Sequence, residues 1–253
     1  LDSAVAQGPN VSTTSFNVTI QDTIVPTATS VSIASNNVTP TLAKEGDVIT
    51  VSFTTSEPVN LPTATIAGKT ATVTNTGGNN YTATYTLTAA ETQGVAAIAL
   101  DFDDIAGNDA TQVTAVTDAS SVTIDTSVPA VPVVMSPTQL EVLQATVTTV
   151  TGTCETDATV SLSNPFLATS PVTTVCVGGS FSTTVTWLPS ALNQNLALII
   201  TQTDLTGNIS SPLTRDLFYA QGGTNNGGSA PGVIVINTPV PNPTPTPNPV
   251  PTP

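Results

Sequence analysis

Four aspartates crowd one short segment: Asp101, Asp103, Asp104 and Asp109. On a strand, residues 101 and 103 share a face. Calcium is the ion such a cluster suits, because it takes about six to eight oxygens from carboxylates and carbonyls. The competing reading is structural. Asp104 precedes Gly107-Asn108 and Asp204 precedes Gly207-Asn208, so each aspartate can cap a tight turn. Three more acids, Glu45, Asp47 and Glu57, read as solvated turn residues. A catalytic carboxylate pair of the glycosidase kind would need two of them to converge. The chain has no histidine, which removes the commonest general base, the usual zinc ligand and any triad built on His. Cys154 and Cys176 are the two cysteines. They predict one disulfide closing a loop of roughly 20 residues, a contribution of about 3 kcal/mol in the chain-entropy model. The alternative is a pair of reduced, buried thiols.

Composition limits the scaffold. The 253 residues leave room for two domains of about 100 residues and some extra chain. Residues are 39% hydrophobic, 4% aromatic and 8% charged. Threonine and valine, both β-branched, fill the gap and predict an all-β chain. Three basic residues, Lys44, Lys69 and Arg215, face 17 acidic ones, for a net charge of −14. That balance excludes the basic footprint of a nucleic-acid binder and disfavours anionic membrane surfaces. No run approaches the roughly 20 apolar residues of a membrane span. The chain begins at Leu1, and Ala4-Val5-Ala6 has the small-x-small look of a cleavage site, so a processed form or fragment is expected.

Two motifs share one period. Asp22-Thr23-Ile24-Val25-Pro26 matches Asp125-Thr126-Ser127-Val128-Pro129, a spacing of 125 − 22 = 103. Asp104-Ile105-Ala106-Gly107-Asn108 matches Asp204-Leu205-Thr206-Gly207-Asn208, a spacing of 204 − 104 = 100. That is the size of an immunoglobulin-type sandwich. The first unit, 27–128, reads as seven short strands: 29–35, 48–54, 62–66, 69–75, 81–88, a stripe at 98–102, and 121–125. Gly77-Gly78-Asn79-Asn80 marks a hairpin. The second unit, 129–220, reads as strands at 146–154, 159–163, 173–177, 181–187, 196–203 and 213–218. Tyr81, Tyr85 and Trp187 alternate with polar neighbours and are expected in cores. Residues 1–26 hold an isolated closing strand, Ser15, Phe16, Asn17, Val18, Thr19 and Ile20, that belongs to a preceding or neighbouring sandwich. Its unpaired backbone groups make it a strand-donor candidate. Residues 221–253 read as a Gly-rich linker and a Pro/Thr-rich polyproline II tail.

Glu45-Gly46-Asp47-Val48, Ser52 to Pro58, Tyr81 to Tyr85, Leu100 to Asn108 and Val122 to Thr126 resemble bacterial Ig-like domains of large extracellular surface and adhesin proteins. Gly152-Thr153-Cys154-Glu155 with Gly178-Gly179-Ser180-Phe181 resembles a different subtype. The resemblance implies tandem sandwiches at the bacterial cell surface, with calcium as the candidate cofactor at module junctions. By that resemblance Asp22 and Asp104 would share an ion, and Asp125 and Asp204 would repeat the arrangement. It implies a non-catalytic stalk or spacer whose partners are adjacent Ig-like domains or further copies of itself. A filament subunit assembled by strand donation is the alternative. A glycan-binding module is the third reading, weakened by the scarcity of aromatic sugar platforms.

Overall fold

The computed structural model describes residues 21–220. The expected donor strand Ser15–Ile20 and the tail 221–253 lie outside the described residues. The chain forms two β-sandwiches in tandem.

In the first sandwich the strands are β1 (Ala28–Ser35), β2 (Leu42–Ala43), β3 (Val48–Thr55), β4 (Thr63–Ile66), β5 (Lys69–Thr70), β6 (Thr72–Gly77), β7 (Asn80–Thr86), β8 (Gly94–Val95), β9 (Ile98–Asp101) and β10 (Thr123–Ile124). One sheet has the order β1-β3-β7-β6; the opposite layer is made of β5-β4-β9 and β2-β10-β8. Alternation builds the core. Ile49, Val51 and Phe53 of β3 point in beside Tyr81 and Ala83 of β7, and meet Ala64, Ile66, Ile98 and Leu100 from the other layer. Tyr85 of the same stripe is half-buried.

The segment expected as one strand at 69–75 is two. β5 pairs with β4 and β6 pairs with β7, so the chain changes sheets at Ala71. Ala71 is buried and its N–H is held by the Ala64 carbonyl at 2.9 Å. A buried small residue allows the crossing. At the hairpin, Gly77 pairs with Asn80, and Gly78 sits at φ 61°, where a side chain would be strained.

The second sandwich contains β11 (Val133–Ser136), β12 (Glu141–Leu143), β13 (Val147–Thr153), β14 (Thr159–Ser163), β15 (Val172–Val175), β16 (Ser180–Thr186), β17 (Gln194–Thr203) and β18 (Leu213–Tyr219), with one 3-10 turn at Pro189–Ala191. A β11-β13-β16 sheet covers a β12-β18-β17-β14-β15 sheet. β11 and β12 were not expected from the sequence. β11 lies between Pro132 and Pro137, and only its Val134 is buried, so no alternation announces it. It approaches β13 so closely that a Cβ at Gly152 would collide with the Val133 carbonyl and the Phe181 ring. The core gathers Phe181, Val185, Trp187, Leu196, Leu198 and Ile200, and shares no member with the first core.

Each sandwich closes in the same way. β10 runs parallel to β2 and antiparallel to β8; β18 runs parallel to β12 and antiparallel to β17. Both closing positions are therefore filled by the sandwich's own strand.

A buried carboxylate braces the first sandwich. Glu91 follows β7, and its Oε1 accepts the Tyr85 hydroxyl at 2.6 Å, the Thr88 hydroxyl at 2.7 Å and the Thr88 N–H at 3.2 Å. Its other oxygen is buried without a partner. Burial pushes its pKa up, but the Tyr85 and Thr88 donors pull it down further, and the net shift is below the usual carboxylate range. Glu91→Gln keeps the shape and removes the charge that draws three donors to one oxygen. It should cost about 1–2 kcal/mol at neutral pH. Because the folded pKa is lowered, the contribution is full above the ordinary carboxylate value and fades as pH falls through the folded one. The stability gap between wild type and Glu91→Gln, measured by urea unfolding, should therefore close on acidification. A gap that stays constant from pH 7 to below the carboxylate range would overturn this account.

Candidate functional site

The first sandwich has a pole where three carboxylates meet. Oxygens of Asp22, Glu57 and Asp104 lie within 4.8 Å of one another, and this is the one such group among the described residues. Several links bring them together. The ring of Phe53 stacks on Tyr81 at 5.4 Å and on Phe102 at 6.4 Å, and so braces the chain that leads into Asp104. Val59 bridges Asp104, while Asn60 donates its amide to the Asp103 carboxylate at 2.7 Å and to the Asp104 carbonyl at 3.0 Å. This sews the Glu57–Asn60 loop to the 103–104 segment. On the other side, Thr27 and Ser56 exchange bonds: Ser56 N–H to the Thr27 carbonyl at 2.8 Å, and Thr27 N–H to the Ser56 hydroxyl at 3.0 Å. That lays the incoming chain, and Asp22 with it, against Glu57.

Asp104 is only 2% exposed. Its Oδ1 accepts the Asn108 N–H at 2.8 Å and its Oδ2 the Asn108 side-chain amide at 2.7 Å. These bonds, led by the Asn108 amide, hold its carboxyl below the usual range, so it is ionised at neutral pH. The turn-capping expected from the sequence and the convergence on Asp22 coexist. Asp104 lines a shallow depression of about 330 Å³ together with Asp22, Glu57, Pro58, Ile105 and Ala106, with no base among them.

The other aspartates are arranged differently. Asp103 takes the Asn60 amide and bridges Asp109. Asp101 accepts both bonds of the Gln112 amide at 3.0 Å. Asp101, Asp103 and Asp109 line a separate groove with Leu61, Thr63 and Gln112. Strand alternation turns Asp104 away from Asp103. Glu57 is the residue that sequence reasoning left as a turn acid. The available signal was its counterpart Glu155, which also stands two residues beyond the equivalent strand.

At the second junction the turn repeats almost bond for bond. Asn108 donates its amide to the Asp22 carbonyl at 3.1 Å, and Asn208 donates to the Asp125 carbonyl at 2.9 Å. Asn208 also binds both oxygens of Asp204, at 2.9 Å each. Each Asn thus latches the chain entering a sandwich to that sandwich's own loop. Asp125, Asp204 and Glu155 do not form a three-carboxylate group like that at the first pole. Further bonds secure this junction. Gln202, buried, donates to the Ala130 carbonyl at 2.6 Å and accepts the Glu155 N–H at 2.9 Å. Thr126 exchanges bonds with Gln93 on the first sandwich at 2.8 Å each way.

The two cysteines are joined, with Cα atoms 5.9 Å apart. Trp187 is 2% exposed and donates its indole N–H to the Thr148 hydroxyl at 3.0 Å. Tyr81 is buried as well. Neither ring offers a sugar platform. No helix among the described residues is long and apolar enough to cross a membrane.

No family model matches the sequence, and no curated protein does. Solved structures that this chain matches include fibronectin-III-like modules and adhesin domains. An adhesin described as Ca2+-stabilized, from an Antarctic bacterium that binds ice, is 21% identical over 79% of this chain, with a TM-score of 0.43, and the match spans half of that chain. The fibronectin(III)-like modules of Clostridium thermocellum CbhA are 14% identical over 75% of this chain and 94% of theirs, with a TM-score of 0.40. The D00-D0 domain of intimin is 13% identical over 72% of this chain and 98% of its own, with a TM-score of 0.31. The sandwich assignment itself rests on the strand order and the two closed cores described above.

Proposed function

We propose that this chain is a non-catalytic structural segment of an extracellular bacterial surface protein, a stalk or spacer built from units 27–128 and 129–220. The carrying observation is the joint between them. Asn208 and Gln202 grip the linker at Asp125 and Ala130, and Thr126 is gripped from the other side by Gln93. A linker whose backbone is bonded into both neighbours transmits force and direction. The disulfide fits an oxidising, extracellular setting. Strand donation between copies of this chain would need an empty closing position, and β10 and β18 already fill both. This favours the stalk over the filament. Small-angle scattering of the native chain should give the fixed profile of a two-bead rod. A profile that needs a broad range of inter-unit angles would sink the proposal.

Calcium is the ion suited to Asp22, Glu57 and Asp104. Three carboxylates crowd one pole, and a divalent cation accepts their oxygens as ligands. At a hundredfold excess over its dissociation constant, an ion that binds only the folded state adds about 2.7 kcal/mol. In a unit of this size that raises the melting temperature by roughly 10–20 °C. Calorimetry in calcium against EDTA should show the rise in the first sandwich and not in an Asp104→Asn, Glu57→Gln variant. An identical trace in both buffers would remove the ion from the reading.

A further inference from the structure

The two Asp-x-x-Gly-Asn turns share the same pair of backbone bonds but have different surroundings. In each, the aspartate N–H donates to the asparagine carbonyl, at 3.1 Å for Asp104 and 3.0 Å for Asp204. In each, the glycine N–H returns to the aspartate carbonyl at 3.2 Å. Gly107 sits at φ 91° and Gly207 at φ 96°. Among the described residues the second turn is covered and the first is bare. Thr206 is 5% exposed, whereas Ala106 is exposed. Asn208 is buried and Asn108 half-buried.

The cover over the second turn is the far end of the first sandwich. Asn37, in the β1–β2 connection, donates its amide to the Thr206 carbonyl at 3.0 Å and to the Asp47 carboxylate at 2.7 Å. Asp47 in turn accepts the Lys44 N–H at 2.9 Å, which closes the 44–47 turn. The Lys44 stem lies on Gly207: a Cβ there would come within 3.3 Å of the Lys44 Cε. A Cβ at Gly107 would meet nothing.

From this internal repetition we infer that the Ile105–Gly107 turn, with Asp22 and Glu57 beside it, is a docking face for a further sandwich end of the first unit's kind. The occupant presents an asparagine amide to the Ala106 carbonyl and a lysine stem to Gly107. The lysine is the one cation brought to a face of three carboxylates; of the two acids beside it, Asp47 is tied within the occupant by the Asn37 amide and the Lys44 N–H, and Glu45 is exposed. The carboxamide and the lysine are supplied together by one segment, Asn37 to Asp47, and the second unit's corresponding segment has neither an Asn nor a Lys. The inference rests on the stalk reading and names its partner: the stalk extends from this pole by another copy of the first unit, in the register of the existing joint.

The test is a tandem duplication in the full chain, residues 1–124 followed directly by 22–253, so that Ile124 precedes Asp22 as it precedes Asp125. Spin labels on exposed strand positions of adjacent units, Thr74 and its duplicate across the new joint and Thr74 with Val175 across the native one, report distances by electron spin resonance. The expected result is one narrow distribution at each joint, with Asn37→Ala in the inserted copy broadening only the new one. A narrow native joint beside a broad new one overturns the inference and leaves the stalk standing. A new joint that stays narrow in the Asn37→Ala chain also overturns it, because the named contact is then not the one that docks. Broad distributions at both joints overturn the stalk reading itself.

Discussion

Replacing Trp187 by alanine should destabilise the second sandwich by about 3–5 kcal/mol, the usual cost of emptying a large aromatic site in a packed core. The ring lies beyond the end of β16, 2% exposed, among Val185, Leu196, Leu198 and the other members of the second core. Its backbone N–H is tied to the Thr146 carbonyl at 2.8 Å and its indole N–H to the Thr148 hydroxyl. Truncation leaves a cavity and an unpaired Thr148 hydroxyl, and the two penalties add. The effect should stay local. The two cores share no residue, so calorimetry should show two transitions of which only one moves. Trp187 is also the sole tryptophan of the chain, which makes wild-type indole fluorescence a reporter of the second sandwich alone. Loss of both transitions together in the Trp187→Ala chain would show that the joint couples the units into one cooperative block.

Much of this fold is legible in the sequence because threonine and valine alternate cleanly. Val48 to Thr54, Tyr81 to Thr84 and Phe181 to Trp187 declare strands and inward faces at once. What escapes is short or irregular. β2 and β8 have two residues each, below any pattern. The change of sheet at Ala71 is a packing event, invisible where threonine and valine run on without interruption. β11 hides between two prolines, and its partner contact is recorded only in the bareness of Gly152.

The site was half legible. The shared period of the pentapeptides and the Asp-x-x-Gly-Asn turns marks the two joints, and the resemblance to bacterial Ig-like domains pairs Asp22 with Asp104 and Asp125 with Asp204. The structure brings each pair together through the asparagine that ends the turn, whose amide reaches across to the entering chain. Glu57 could not be reached by local reading, because its approach to Asp104 depends on Asn60 and the aromatic stack behind it. Asp101 and Asp103 crowd Asp104 in the sequence only, since the pleat sends them to another groove. Proximity along a strand and proximity in space differ most where carboxylates alternate.

Reduction of the disulfide should lower the melting temperature of the second sandwich by roughly 10–20 °C, with little change in the first. The cross-link spans 22 residues of sequence. In the chain-entropy model that loop is worth about 3 kcal/mol, and each kcal/mol moves a unit of this size by about 4–8 °C. Its position gives the loss a mechanical meaning. Cys154 follows β13 in one sheet, and Cys176 follows β15 in the other. The bond therefore staples the two layers at the end where Gln202 takes the Glu155 N–H and holds Ala130 of the linker. In the proposed stalk role, force enters through the linker and loads this end first. Cys154→Ala, Cys176→Ala should then unfold at lower force than wild type in single-molecule pulling, with the drop confined to one of the two unfolding events. Equal unfolding forces in both chains, alongside the expected loss in melting temperature, would show that the staple serves folding stability and carries none of the load.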